Sequence, residues 1–446
     1  MKSKSLSFFL FALFFILHSR AQSHTRPPLL FSSEDLEPKT FQGVGESDPK
    51  RNESFPTYWG GNALTQEDRE VQGLKVTIFS LEGGAWIQHK KVKLAANRIE
   101  VYGKEAYKAF LKNGVNIEDH ENGTVLKAGI GEYDKYEEIV HIRERPRLYF
   151  RDKTGKNTII SATTIDRELA TKTTRLHGGV IVSHPEITIF CAEAVFKESE
   201  QLITTDPNPI LISKNRYLTG QKLAFYTNES KIILDEKTVL FQSAIESKKD
   251  SEGKESKQTV ITILKGDKIV SSPNENNERS VLITGNATVL RNDLKITSNT
   301  LESIGSDSSI IKARKNIRVH DRENNLLLTG HVFDYFRKEE YMHLTEEGKM
   351  EFLEKNSDKV TSTITAQEFE RFLDKKETVI RGDIRIKAKS TDAMGEYATY
   401  HENEESILLE GNPRIDRSGK ILRAGKIVFY PREGRSILTE GVHLGN

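Results

Sequence analysis

A degenerate repeat of about 30 residues, running from near residue 92 to the end of the chain, constrains this sequence more than any other feature. Its spine is an aliphatic residue, one spacer, a small residue, two spacers, and then two apolar or aromatic residues separated by one. The spine reads Leu94-Ala96-Ile99-Val101, Leu126-Ala128, Ile160-Ala162-Ile165, Phe190-Ala192-Val195, Leu218-Gly220-Leu223-Phe225 and Leu264-Gly266-Ile269. It continues as Ile296-Ser298-Leu301, Leu328-Gly330-Phe333-Tyr335, Ile364-Ala366-Phe369, a weak copy at Ala393, and Leu422-Ala424-Ile427-Phe429. Such a chain stacks like units, each burying its apolar face against the next.

The second half of each unit is an apolar run that often closes on glycine, as in Val281-Leu282-Ile283-Thr284-Gly285, Val379-Ile380-Arg381-Gly382 and Phe110-Leu111-Lys112-Asn113-Gly114. Each unit therefore offers two strands. Between them lie turns led by aspartate toward glycine or asparagine, such as Asp119 to Gly123 and Asp321 to Asn325, in which the carboxylate bonds its own downstream backbone. Apolar residues at i and i+2 keep strand parity, but the next pair falls at i+5 and i+7. A bulge at the small residue restores the inward face on both sides, so each strand is expected to bend there. Helical periodicity is nearly absent. The reading is all-β: about eleven two-strand units whose bent rungs stack into one elongated array. The longest step between units contains a polar loop insertion at 243–258, rich in Lys, Glu and Ser.

Lys plus Arg number 66 and Asp plus Glu 65, so no global field favours nucleic acid. The first 21 residues read as an export signal: Lys2 and Lys4, an apolar stretch from Leu6 to Leu17, then Ser19-Arg20-Ala21 with small residues where a signal peptidase cuts. Residues 22–70 carry Pro27, Pro28, Pro38, Pro49 and Pro56 among aperiodic charges and read as an irregular leader. The repeat domain is expected over 71–446. Cys191 is the only cysteine, falls in a strand, and excludes an intramolecular disulfide.

The units Ala96 to Tyr102, Ala128 to Asp134, Gly382-Asp383-Ile384-Arg385-Ile386 and Leu408 to Ile415 resemble the repeats of the LptA/OstA-like family. That family comprises periplasmic bridge components of lipopolysaccharide transport and the related N-terminal domain of the outer-membrane assembly protein. The resemblance implies an elongated open β-jellyroll, two sheets folded into a V, that carries acyl chains between them. It also implies a periplasmic location and protomers joined end to end, with a homo-oligomer or inner- and outer-membrane components as partners. Its cargo would be lipopolysaccharide or a related glycolipid, with no catalysis and no cofactor. On that reading the groove is lined by Ile99, Val101, Ile165, Val195, Leu223, Phe225, Ile269, Leu301, Phe333, Tyr335, Phe369, Ile427 and Phe429. The final strand, with Ile437, Leu438, Val442 and Leu444, offers an edge for strand addition. This chain has more units than a single bridge protein, and no run of transmembrane β-strands follows Asn446.

Two other readings stay open from the residues. The spine can pack only against itself, giving an exported structural or adhesive protein with a closed core. A right-handed parallel β-helix that cuts polysaccharide is also exported and repetitive, but it needs carboxylates converging on one stretch of surface. H-E-x-x-H, G-x-S-x-G, the P-loop, C-x-x-C and the dinucleotide fingerprint are absent, and the twelve histidines are not spaced as metal ligands.

Overall fold

A computed structural model describes residues 42–45, 57–249, 255–305, 307–355, 357–388, 391–417 and 419–445. The export signal and most of the leader lie outside the described residues, but Thr57–Gly60 and Ala63–Val71, expected to be irregular, are strands paired with Leu74–His89, and Trp59 is buried there. The repeat region falls into two compact units, one up to Pro185 and one from Glu186 onward.

All pairings between described strands are antiparallel, which removes the parallel β-helix. In the second unit the strands Arg279–Arg291, Leu294–Ile304, Ile310–Asp321, Leu326–Phe336, Tyr341–Leu353, Val360–Phe372, Glu377–Ala388 and Thr391–His401 follow one another as a meander. The first unit does the same with Leu74–His89, Val92–Tyr102, Lys108–Asp119 and Thr124–Asp134. Each of these ladders is interrupted near its middle, for example between Thr297 and Thr300 or between Arg314 and Ile317. Each long strand therefore contributes one half to each of two facing wings, and the row of interruptions is the corner between them. This is the arrangement of a β-jellyroll, as the resemblance implied.

The corner has two constructions. On spine strands the inward parity slips by one, so that Ile296 and Ser298 are buried before it and Leu301 and Ser303 after it. On return strands parity is kept across two consecutive residues of positive φ: Asn113 and Gly114, Gly178 and Gly179, Gly285 and Asn286, Lys315 and Asn316, Glu346 and Glu347, Gly382 and Asp383. The glycine that closes so many apolar runs in the sequence is one member of this left-handed pair. The residue after the small spine residue donates its N–H to the carbonyls of the facing corner. Gln221 N reaches Asp235 O at 3.1 Å and Glu236 O at 3.0 Å, and Thr163 N reaches His177 O at 3.0 Å and Gly178 O at 2.9 Å. This close approach is why the spine residue is small: a Cβ on Gly330 would sit 2.8 Å from Leu344 Cδ1 and 3.2 Å from Thr345 O.

Gly114 isolates the backbone term, because its φ is 90° and a Cβ there would meet nothing within 4 Å. Gly114→Ala is expected to cost about 1–2 kcal/mol in denaturant titration, all of it from the left-handed conformation. A neutral or stabilising result would contradict that account.

The aspartate-led turns form as expected. Asp152 Oδ1 accepts the N–H of Thr154 at 2.9 Å and of Lys156 at 2.8 Å, and Asp321 Oδ1 accepts that of Asn324 at 3.1 Å. The segment expected as a polar loop is different. The strands Lys231–Lys249 and Glu255–Pro273 stay paired through it, from Ser243 opposite Ile261 to Lys249 opposite Glu255. The two strands run together as a long hairpin arm that carries Glu246 and Lys257.

Candidate functional site

Of the spine residues expected to face inward, Ile99, Val101, Ile165, Leu223, Phe225, Ile269, Leu301, Phe333, Tyr335, Phe369, Ile427 and Phe429 are all buried. Val195 is the exception. It is half-exposed, and its neighbours Ala194 and Phe196 point in instead. The strand Thr188–Lys197 pairs with one partner up to Phe190 and with another only from Val195, so its corner is longer than the repeat implies and the parity shifts. Cys191 sits in that long corner, half-exposed, with its thiol pushed up by burial.

The interior of each unit is filled by these side chains. Two surface depressions lie on charged residues, one around Lys222, Asp235, Glu236 and Lys268 and one around Lys295, Arg318, His320 and Glu351. Neither is lined by a spine residue. Moving from the corner toward the strand ends, the inward residues change from small to aliphatic or aromatic and then to polar. Leu301 gives way to Ser303, Ile380 to Thr378, Val319 to Asp321 and Phe369 to Arg371, all of them buried.

The strand ends form two rows of turns, one per wing, which act as lips. Side chains join the lips in both units. In the first, Arg167 Nη2 lies 3.1 Å from Asp119 Oδ2, Lys172 Nζ lies 2.9 Å from Glu121 Oε2, and both His89 and Lys90 contact Glu138. In the second, Arg279 Nη2 lies 3.0 Å from Glu186 Oε2, and Arg216 Nη2 donates to Gly305 O at 3.0 Å. Arg337 pairs with Glu246 on the hairpin arm, and Ser308 Oγ donates to Gln242 Oε1 at 3.4 Å. Arg371 Nη2 lies 2.8 Å from Asp321 Oδ2 across the seam, and its Nε lies 2.6 Å from Glu402 Oε1 on its own lip. Arg432 donates from Nη1 to Leu353 O at 2.8 Å and from Nη2 to Asn324 O at 2.9 Å.

These arginines escaped the sequence reading, although a signal was present. Arg167 and Arg371 occupy the last spine position, two residues after Ile165 and Phe369, where other units place Val101, Phe225, Tyr335 and Phe429. A guanidinium on the inward parity of a buried strand needs a carboxylate partner.

The seam electrostatics follow from burial and pairing. Burial opposes the charge of Arg371, but Glu402 and Asp321 outweigh it and hold the guanidinium above its ordinary range. Burial alone would lift the Asp321 carboxyl; Arg371 and the Asn324 donors outweigh that and hold it below its ordinary value of 3.8. Burial and the nearby Arg279 pull Arg216 down to about 10. Because Asp321 is depressed, its stabilisation is complete above 3.8 and is lost as pH falls from there through the lowered value. In acid titration Asp321→Asn is therefore expected to flatten the loss of stability below pH 3.8 and to leave its slope between pH 5 and 7 unchanged. An unchanged acid limb would contradict the pairing.

Bent antiparallel strands around an apolar interior define a class of proteins rather than a chemistry, and the comparisons narrow it. Residues 268–435 match the family described as LptA/(LptD N-terminal domain) LPS transport protein. The matched stretch coincides with the long meander of the second unit. The chain is also similar to the crystal structure of LptH from Pseudomonas aeruginosa, described as the LptA-homologous periplasmic component of the lipopolysaccharide transport device. That likeness has 11% identity, covers 28% of this chain and 98% of that one, and gives a TM-score of 0.24, too weak to carry an argument. No curated protein matches.

Proposed function

We propose that this protein acts in the periplasm as a carrier of lipopolysaccharide or a related glycolipid on its way to the outer membrane. Its wings would shield the acyl chains while the saccharide stays in water. The observation that carries this is the family match over residues 268–435, which falls on a stretch whose inward residues form an apolar core. A shield is needed because each methylene exposed to water costs about 0.8 kcal/mol. Partners would add to edge strands. The single final strand expected from the sequence is instead two, Arg435–Thr439 and His443–Gly445, on different neighbours and with Val442 between them; Ile437 and Leu444 are exposed on these strands and Leu438 is half-buried. No step of this role calls for a catalytic group.

The test is photocrosslinking in cells from a tyrosine-sized photoreactive residue placed either at Tyr335, which faces inward, or at Tyr397, which faces out. Lipopolysaccharide adducts are expected from the first position alone. Equal adducts from both, or none from either, would overturn the proposal. One observation favours the rival reading of a structural or adhesive protein: the spine is packed shut. Solvent extraction of protein purified from its native envelope separates the two, because a stalk comes away without lipid.

A further inference from the structure

We infer that the seam of the second unit is a lateral gate, latched by Arg337, Arg371 and Arg432 and hinged on the row of corners.

The backbone divides the unit unequally. Along each lip, neighbouring turns are tied by backbone hydrogen bonds. Leu353 N to Asn325 O at 2.9 Å and Arg322 N to Asp293 O at 3.0 Å lie on one lip, and Arg337 N to Ser309 O at 2.8 Å and Leu373 N to Glu340 O at 2.8 Å lie on the other. The contacts that cross between lips are made by side chains. At the corners the chain itself joins the wings. Parting the lips therefore leaves both ladders whole, whereas parting the corners would not.

The latches suit that task. Arg337 Nε and Arg371 Nη1 are buried and find no protein acceptor, so the shut seam is less fully satisfied than the ladders. The residues directly beneath it, Ser303, Ser362 and Thr378, are polar and buried, and they tolerate water when the lips separate. The hairpin arm acts as a strap, because Glu246 on it reaches both Arg291 of its own lip and Arg337 of the other. In water the open form exposes the spine and is disfavoured; an acyl chain in the interior removes that cost and shifts the population. This inference rests on the carrier reading for what passes through the gate, but the opening stands without it.

The test uses the full chain with Cys191→Ser and one reporter cysteine. Thr378→Cys lies opposite Arg371 beneath the seam, and Ala398→Cys lies deeper, toward the corner. Labelling by a small thiol reagent under native conditions is compared with and without Asp321→Asn. At Thr378→Cys the rate is expected to rise about tenfold, with little change at Ala398→Cys. A parallel rise at both reporters means global unfolding and overturns the gate, as does no rise at Thr378→Cys. Glu246→Gln read at Ser303→Cys repeats the test from the arm and is judged by the same outcomes. Purified lipopolysaccharide is then added to the original seam. Faster labelling at Thr378→Cys joins the gate to the carrier role; a gate that responds to Asp321→Asn but not to lipopolysaccharide overturns the carrier role and keeps the gate.

Discussion

Removing both carboxylates that flank Arg371, by Asp321→Ala with Glu402→Ala, is expected to destabilise the second unit by roughly 3–5 kcal/mol. Arg371 is 2% exposed, so its charge cannot turn to water when its partners are lost. Asp321 and Glu402 stand 2.8 Å and 2.6 Å from it, close enough to offset much of the desolvation. Replacing all three residues together with Met, Leu and Val of matched bulk is expected to be nearly neutral, because a buried ion pair gains little over well-packed apolar side chains. Urea midpoints for the double and triple variants measure the contrast. If the double variant loses under about 1 kcal/mol, Arg371 is reached by water and the seam is not sealed there.

The same contrast shows why some of this architecture was legible in the sequence and some was not. The parity slip at Ala96, Ser298, Gly330 and Ala366 is a local feature, since it depends on the pleat of a single strand, and the bends lie where it placed them. The glycines of the return strands were visible too, because Gly114, Gly285 and Gly382 adopt positive φ that other residues resist. Glu346 and Glu347 occupy the same left-handed corner with no such residue, so composition alone misses it. The hairpin arm was misread because strand pairing satisfies its backbone whatever the charge of its exposed face. The seam was hardest to see. Arg432 bonds carbonyls of Asn324 and Leu353, and Arg167 bonds Asp119; partners so distant in sequence are fixed only once both wings exist. Twelve of the spine residues expected inward are buried, because their parity along each strand already assigns them to the inner face.

Phe369→Ala is expected to cost roughly 3–5 kcal/mol, the usual loss for a buried phenylalanine, and its coupling to Gly348 tests how tightly the corner is built. A Cβ on Gly348 would lie 2.7 Å from Phe369 Cε2 and 2.8 Å from Cδ2, with Ala366 O at 3.2 Å. Gly348→Ala alone drives a methyl into a ring that the facing wing holds in place, and overpacking of this kind costs about 1–3 kcal/mol. In the Phe369→Ala background the ring is gone, so the same methyl occupies part of the cavity and its effect changes sign. Only the contact with Ala366 O persists, and a shift of a few tenths of an ångström relieves it. Denaturant titration of the four proteins of this cycle is therefore expected to give a favourable coupling of at least about 1 kcal/mol. Additive behaviour would mean that the ring moves aside freely in the folded protein. In that case the interior already has room at the corner, and an acyl chain would need no gate at the lips to find space beside Phe369.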